Sequence, residues 1–196
     1  MAYCHYTCTI DSVCHIGFPA TELTTWIEIM SQILNRTILP DSDCFGCGFS
    51  NANGLHVEIT RDSENGDRLL ATLQPGDHMT GFPGITHGGV IYTAMDCLAA
   101  WVPRILRNDT KAIWILRSAK VKYHKAARQG ETLSLTGSIV SEGKQWQPVE
   151  VCTEARNPAG DLLTDGTFKV VPLTPERFKE VAGIEEIPEQ WRCMLE

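Results

Sequence analysis

The chain has 196 residues, a formal net charge of -7 and 43% hydrophobic residues. That length suits one ordinary domain with flanking segments, and two full domains would be cramped in it. The negative balance argues against a nucleic-acid binder, whose phosphate contacts need clustered Lys and Arg, and no run approaches the roughly 18 apolar residues of a membrane span.

The N-terminus lacks the basic start and continuous apolar core of a secretory signal, so the expected location is cytoplasmic. Eight cysteines in so apolar a chain are expected to be mostly reduced thiols and not a disulfide framework. Residues 1 to about 20 show no periodicity and a high density of Cys and His, as an extension would. From Glu22 to Leu39, the positions Leu23, Trp26, Ile27, Met30, Ile33 and Leu34 recur at three and four, which predicts an amphipathic helix ending before Pro40 and packing on the rim of the domain. Residues 1–40 are therefore read as an N-terminal extension with that helix.

Cys44 and Cys47 form a Cys-x-x-Cys, half of a zinc site or a redox pair. Zinc needs about two more ligands, and no second Cys-x-x-Cys or His-x-x-x-His supplies them. Cys4, His5, Cys8, Cys14 and His15 are the available donors, and the expectation is a structural turn with buried thiols and no metal. Cys97 and Cys152 read as small core residues.

Leu55, Val57 and Ile59 alternate with polar neighbours, and Asn65-Gly66 turns the chain toward Leu69, Ala71 and Leu73, a hairpin. Pro75 to Thr86 holds too many Gly and Pro residues for regular structure. A long apolar helix begins near His87, with Pro103 near its end or kinking it. Strands are predicted over Ala112–His124, Thr132–Ser141, Trp146–Arg156 and Leu163–Val171, joined by short turns as in an antiparallel meander. Thr174-Pro175 reads as the cap and first turn of a further helix. One long helix between a hairpin and a run of strands predicts an α+β fold, an antiparallel sheet wrapped around one central helix. The boundaries are 41–173 for this domain and 174–196 for a C-terminal helix and tail.

His87-Gly88-Gly89 is the most informative stretch. Paired glycines at a helix start let a substrate oxygen approach backbone N–H groups that carry the positive end of the helix dipole. Asp96 follows among Val90, Ile91, Ala94, Met95, Leu98 and Trp101, where an ionisable group costs several kcal/mol, about, unless it has a partner or a task.

These motifs resemble the PaaI-type acyl-CoA thioesterases of the hot-dog fold. The likeness runs from Cys44-Phe45-Gly46-Cys47-Gly48 and Asn53-Gly54-Leu55, through Gly84-Ile85-Thr86-His87-Gly88-Gly89 and Asp96, to Val121-Lys122-Tyr123 and Gly130. It implies hydrolysis of an acyl- or aryl-CoA thioester at sites shared by two subunits of a homodimer or of a homotetrameric dimer of dimers, with no cofactor. In that reading the Gly88 N–H polarises the thioester carbonyl, Gly89 permits close approach, and Asp96 acts as general base or nucleophile. His87 shapes the turn or contacts substrate. Some family members carry an Asn where this chain has Gly81, and a hydroxyl residue of certain relatives falls near Leu116, with Ser118 close by. His78, Thr80, Thr93 and Ser118 are candidate substitutes, and Gly81, Thr93 and Ser118 join His87 and Gly89 as expected substrate-binding positions. Arg117, Lys120, Lys122, Lys125 and Arg128 either meet the phosphates of coenzyme A or keep a sheet edge soluble. The alternatives are a hot-dog hydratase or dehydratase, and a module that holds acyl-CoA without cleaving it.

Overall fold

The computed structural model describes residues 32–107, 112–141, 144 and 146–192. The Cys- and His-rich residues 1–20, and the part of the predicted first helix from 22 to 31, lie outside them. Among the described residues the first helix is only α1, Leu34–Ile38, because Ile33 is extended. Burial departs from the apolar pattern as well. Asn35 is the buried residue of α1, its amide donating to Cys47 O (2.7 Å) and Val57 O (2.9 Å) and accepting from Ile59 N (3.0 Å). This amide pairs backbone groups of two neighbouring segments that would otherwise be buried without partners.

The hairpin forms as expected from β1 (Glu58–Arg61) and β2 (Arg68–Leu73). The segment before the central helix is more regular than its Gly and Pro content predicts. β3 (Thr80–Phe82) and β4 (Ile85–Thr86) pair around Pro83-Gly84, where Gly84 has φ 77°, a conformation that favours glycine. α2 spans Gly88–Leu106 with Pro103 inside its last turn. The meander follows as β5 (Ile113–Tyr123), β6 (Leu133–Ser141), β7 (Val149–Arg156) and β8 (Leu162–Leu173). β7 starts later than its sequence pattern suggests, because Trp146 turns left-handed at φ 64° and Gln147 N bonds back to Lys144 O.

Among the described residues six strands make one antiparallel sheet in the order β1-β2-β6-β7-β8-β5. Alternation along β6 and β7 puts Leu133, Leu135, Val149, Val151 and Ala155 into the core. There they meet Ala94, Met95, Leu98 and Val102 of α2, none of them exposed. A Cβ at Gly137 of β6 would sit 2.9 Å from Val102 Cγ2, so a glycine is what lets the helix lie this close to the sheet. This is the expected α+β architecture, an antiparallel sheet around one central helix. By length and composition α2 would pass as a membrane span, yet half of it is buried against the sheet.

α3 (Pro175–Ala182) is capped as its sequence predicts, Thr174 Oγ1 accepting from Arg177 N at 3.2 Å, and Gly183 closes it in the left-handed conformation. A one-turn helix, α4 (Glu189–Arg192), lies in the C-terminal tail.

Candidate active site

The hairpin β3–β4 delivers the chain to α2, where His87 is the N-cap. Its Nδ1 accepts from Gly89 N at 2.9 Å, and its carbonyl accepts from Val90 N at 2.9 Å. With Nδ1 accepting, the neutral ring carries its proton on Nε2. Gly88 N–H has no acceptor among the described residues. It is therefore the unsatisfied donor at the positive end of a 19-residue helix.

That donor stands on the wall of a cleft of about 400 Å³ lined in part by Gly81, Phe82, His87, Gly88, Tyr123 and Lys125. A side chain at any of these glycines would crowd its neighbours. A Cβ at Gly81 would meet His87 Cα at 3.0 Å, one at Gly88 would meet the Tyr123 ring at 3.1 Å, and one at Gly89 would meet His87 Nδ1 at 2.9 Å. Tyr123 closes the arrangement by donating its hydroxyl to Gly88 O at 3.2 Å. Phe82 stands 74% exposed at the cleft, an apolar surface ready for a ligand.

Asp96 does not line this cleft. It follows Gly88 by eight positions, about 12 Å along a helix at roughly 1.5 Å per residue. Burial, and secondarily a Cys44 thiolate, raise its pKa to about 6. It makes no hydrogen bond or ion pair among the described residues, so none of these offsets the desolvation. Tyr92 lies between the two: its pKa is raised by burial and by the charges of Asp96 and Tyr123, and its ring packs on Phe168. Gly89, Thr93, Asp96 and Ala100 share one face of α2, and this face is left incompletely covered.

The structure thus brings Gly81, His87 and Gly88 together and separates them from Asp96. Thr93 is spent on the helix, its hydroxyl donating to Gly89 O at 2.9 Å. Ser118 is exposed on β5 at a register shift and does not line the cleft. His78 and Thr80 are exposed as well, Thr80 Oγ1 donating to Asp77 O at 2.7 Å. Of the basic residues, Lys125 reaches the cleft but is paired with Asp161 at 2.7 Å, and Arg128 lines an adjoining cleft of about 690 Å³ that shares Ile85, Lys125 and Ala126 with the first.

Two groups at the site carry no sequence signal of their own. His124 lines the cleft, and its Nε2 meets the Asp165 carboxylate of β8. Tyr92 reads in the sequence as one more apolar helix residue. Finding either needs the sheet pairing and the helix phase, neither of which a linear motif contains.

Residues 83–158 match the family model described as the thioesterase superfamily. Among solved structures the chain is similar to zebrafish thioesterase superfamily member 2, at 20% identity over 71% of this chain and 93% of that one, with a TM-score of 0.55. It is similar to the E. coli PaaI protein from the phenylacetic acid degradation operon, at 16% identity over 61% and 80% of the two chains, TM-score 0.52. A hypothetical thioesterase from Streptococcus pneumoniae TIGR4, solved with coenzyme A, aligns at 20% identity over 60% and 89%, TM-score 0.51. No curated protein matches the chain in sequence. Identities this low establish a shared fold, while the family match falls on the stretch running from the turn before β4, through α2, to just past β7. The chain thus has the hot-dog fold of these neighbours, and its residues 83–158 resemble the thioesterase superfamily.

Proposed function

We propose that the protein hydrolyses an acyl- or aryl-CoA thioester to the free acid and coenzyme A, at a site completed by a second copy of the chain. The observation that carries this reading is the Gly88 N–H, unpaired among the described residues, at the start of α2 on the wall of a cleft where Gly81 and Gly88 present no side chain. A thioester carbonyl seated there gains a hydrogen bond that strengthens as its oxygen becomes an anion, and such a donor contributes on the order of 3 kcal/mol to the transition state. Asp96 is the acid the chemistry needs, and within one chain it is too far along the helix. When two copies pair with their α2 helices side by side, Gly88 of one copy and the partner's Asp96 flank a single carbonyl. Asp96 then takes a proton from water as its oxygen adds to the carbonyl carbon, or adds to that carbon itself to give an anhydride that water opens. In both routes the C–S bond breaks and the coenzyme A sulfur leaves as thiolate.

The long edge strand β5 supports such pairing, because an unpaired 11-residue edge invites another strand. The S. pneumoniae neighbour solved with coenzyme A agrees in ligand class.

His124 with Asp165 supports a second reading, in which this pair activates water within the same chain. A panel of aliphatic and aromatic acyl-CoA esters, followed by release of free thiol, decides between these readings. We expect Asp96→Asn to lose at least about a hundredfold in kcat while keeping its fold, and His124→Gln to retain most activity. The reverse pattern transfers the role of base to His124. Binding without turnover in wild type would make the protein an acyl-CoA carrier.

A further inference from the structure

Three thiols that the thioester chemistry does not use converge beside α2. Cys44 and Cys47 come from the turn 43–48, and Cys97 from the helix, and their sulfurs all lie within 4.8 Å of one another. Cys44 Sγ is 3.9 Å from Cys97 Sγ, and all three cysteines are free. Sulfurs that share a tetrahedral zinc ion at about 2.3 Å each stand about 3.8 Å apart, so these need little movement to do so.

The turn is shaped for that task. The thiols of Cys47 and Cys97 and the backbone N–H groups of Cys47 and Gly46 all lie within hydrogen-bonding reach of the Cys44 sulfur. Gly48 N bonds Cys44 O at 2.9 Å, Val57 N bonds Gly46 O at 3.0 Å, and Asn35 Nδ2 holds Cys47 O. A Cβ on Gly46 would collide with Cys97 Sγ, so the glycine is what admits the third thiol to the Cys-x-x-Cys pair. All three sulfurs border an apolar cavity of about 220 Å³ that Ala100, Trp101, Trp114 and Trp191 also line, which leaves space on one side for a fourth ligand.

We propose that Cys44, Cys47 and Cys97 form a binding site for one thiophilic d10 cation, zinc(II) in the first instance. Binding breaks up to three S–H bonds, forms three Zn–S bonds and releases the displaced protons to solvent, leaving a three-thiolate zinc centre with one net negative charge. The ion ties the turn 43–48 to α2 one residue from Asp96, a structural role.

The test uses the reduced, metal-free full chain titrated with Co2+ alone and then with Zn2+. Expected are thiolate-to-cobalt charge-transfer bands and tetrahedral visible bands in wild type, bleached when zinc displaces cobalt, with a rise in Tm on zinc addition. Cys44→Ser and Cys97→Ser should each lose the bands, while Cys152→Ser keeps them. Absence of the bands in wild type overturns the proposal, as does their survival in folded Cys97→Ser, which would place the cation on other cysteines. If Cys97→Ser does not fold, Cys44→Ser, altered in the less buried turn, reads the same outcomes.

Discussion

Asp62 and Asp96 are both largely withdrawn from water, and their surroundings treat them in opposite ways. Asp62 receives the Glu64 N–H (2.9 Å), the Asn65 N–H (3.2 Å) and the Arg68 guanidinium (2.6 Å), which together hold its carboxyl below the usual carboxylate range, the Glu64 backbone bond first among them. Because its folded pKa lies below the unfolded one, its contribution to stability is present above about pH 4 and is lost as pH falls further, through the folded value. Asp62→Asn keeps an acceptor for the turn and loses this dependence. Urea midpoints at pH 7 and pH 3 should therefore differ less in the variant than in wild type, and an equal difference would show that Asp62 does not couple the hairpin to pH. Asp96, by contrast, is half-buried near Cys44 and has no hydrogen bond or ion pair among the described residues. A carboxylate kept at such a cost inside the core helix is better explained by chemistry than by folding.

At the scale of elements, the site depends on how closely α2 lies on the sheet. Gly137 sets that distance, since Val102 and Leu98 occupy the space a side chain would need. Gly137→Leu should destabilise the domain by about 1–3 kcal/mol through overpacking, measured by denaturant unfolding, and should impair turnover by shifting the start of α2 against Tyr123. Unchanged stability would mean that the helix can move outward freely. The sequence periodicity announced α2, the hairpin and all four later strands. It did not announce β3 and β4, because short pairings around a Pro-Gly turn depend on what covers them. In the described part of the first helix it also missed the buried residue, since an apolar spacing of three and four does not reveal that Asn35 would be the one turned inward.

For the whole molecule, the decisive question is whether one chain or two make a site. In the proposed symmetric dimer each site would take Gly88 from one copy and Asp96 from the other. Gly88→Val, which fills the cleft, and Asp96→Asn should each be inactive alone. Mixed in equal amounts and allowed to exchange, they should recover about a quarter of wild-type activity, because half the dimers are hybrids and each hybrid holds one intact site. A mixture that stays inactive, although sedimentation shows hybrid dimers, would place the acid and the donor in the same chain and favour His124.

Local chemistry was legible from the residues alone: the His-Gly-Gly helix start, the isolated Asp96, the alternation of the strands and the Thr174 cap all follow from short-range spacing and backbone geometry. What required tertiary structure was proximity. Gly88 and Asp96 share a motif yet stand about two turns apart on a rigid helix, whereas Cys97 lies fifty positions from Cys47 in sequence and reaches it in space. Spacing along a chain determines which residues share one face of an element. Only the packing of that element against others, with backbone as bare as Gly46 and Gly137 permit, decides which side chains meet.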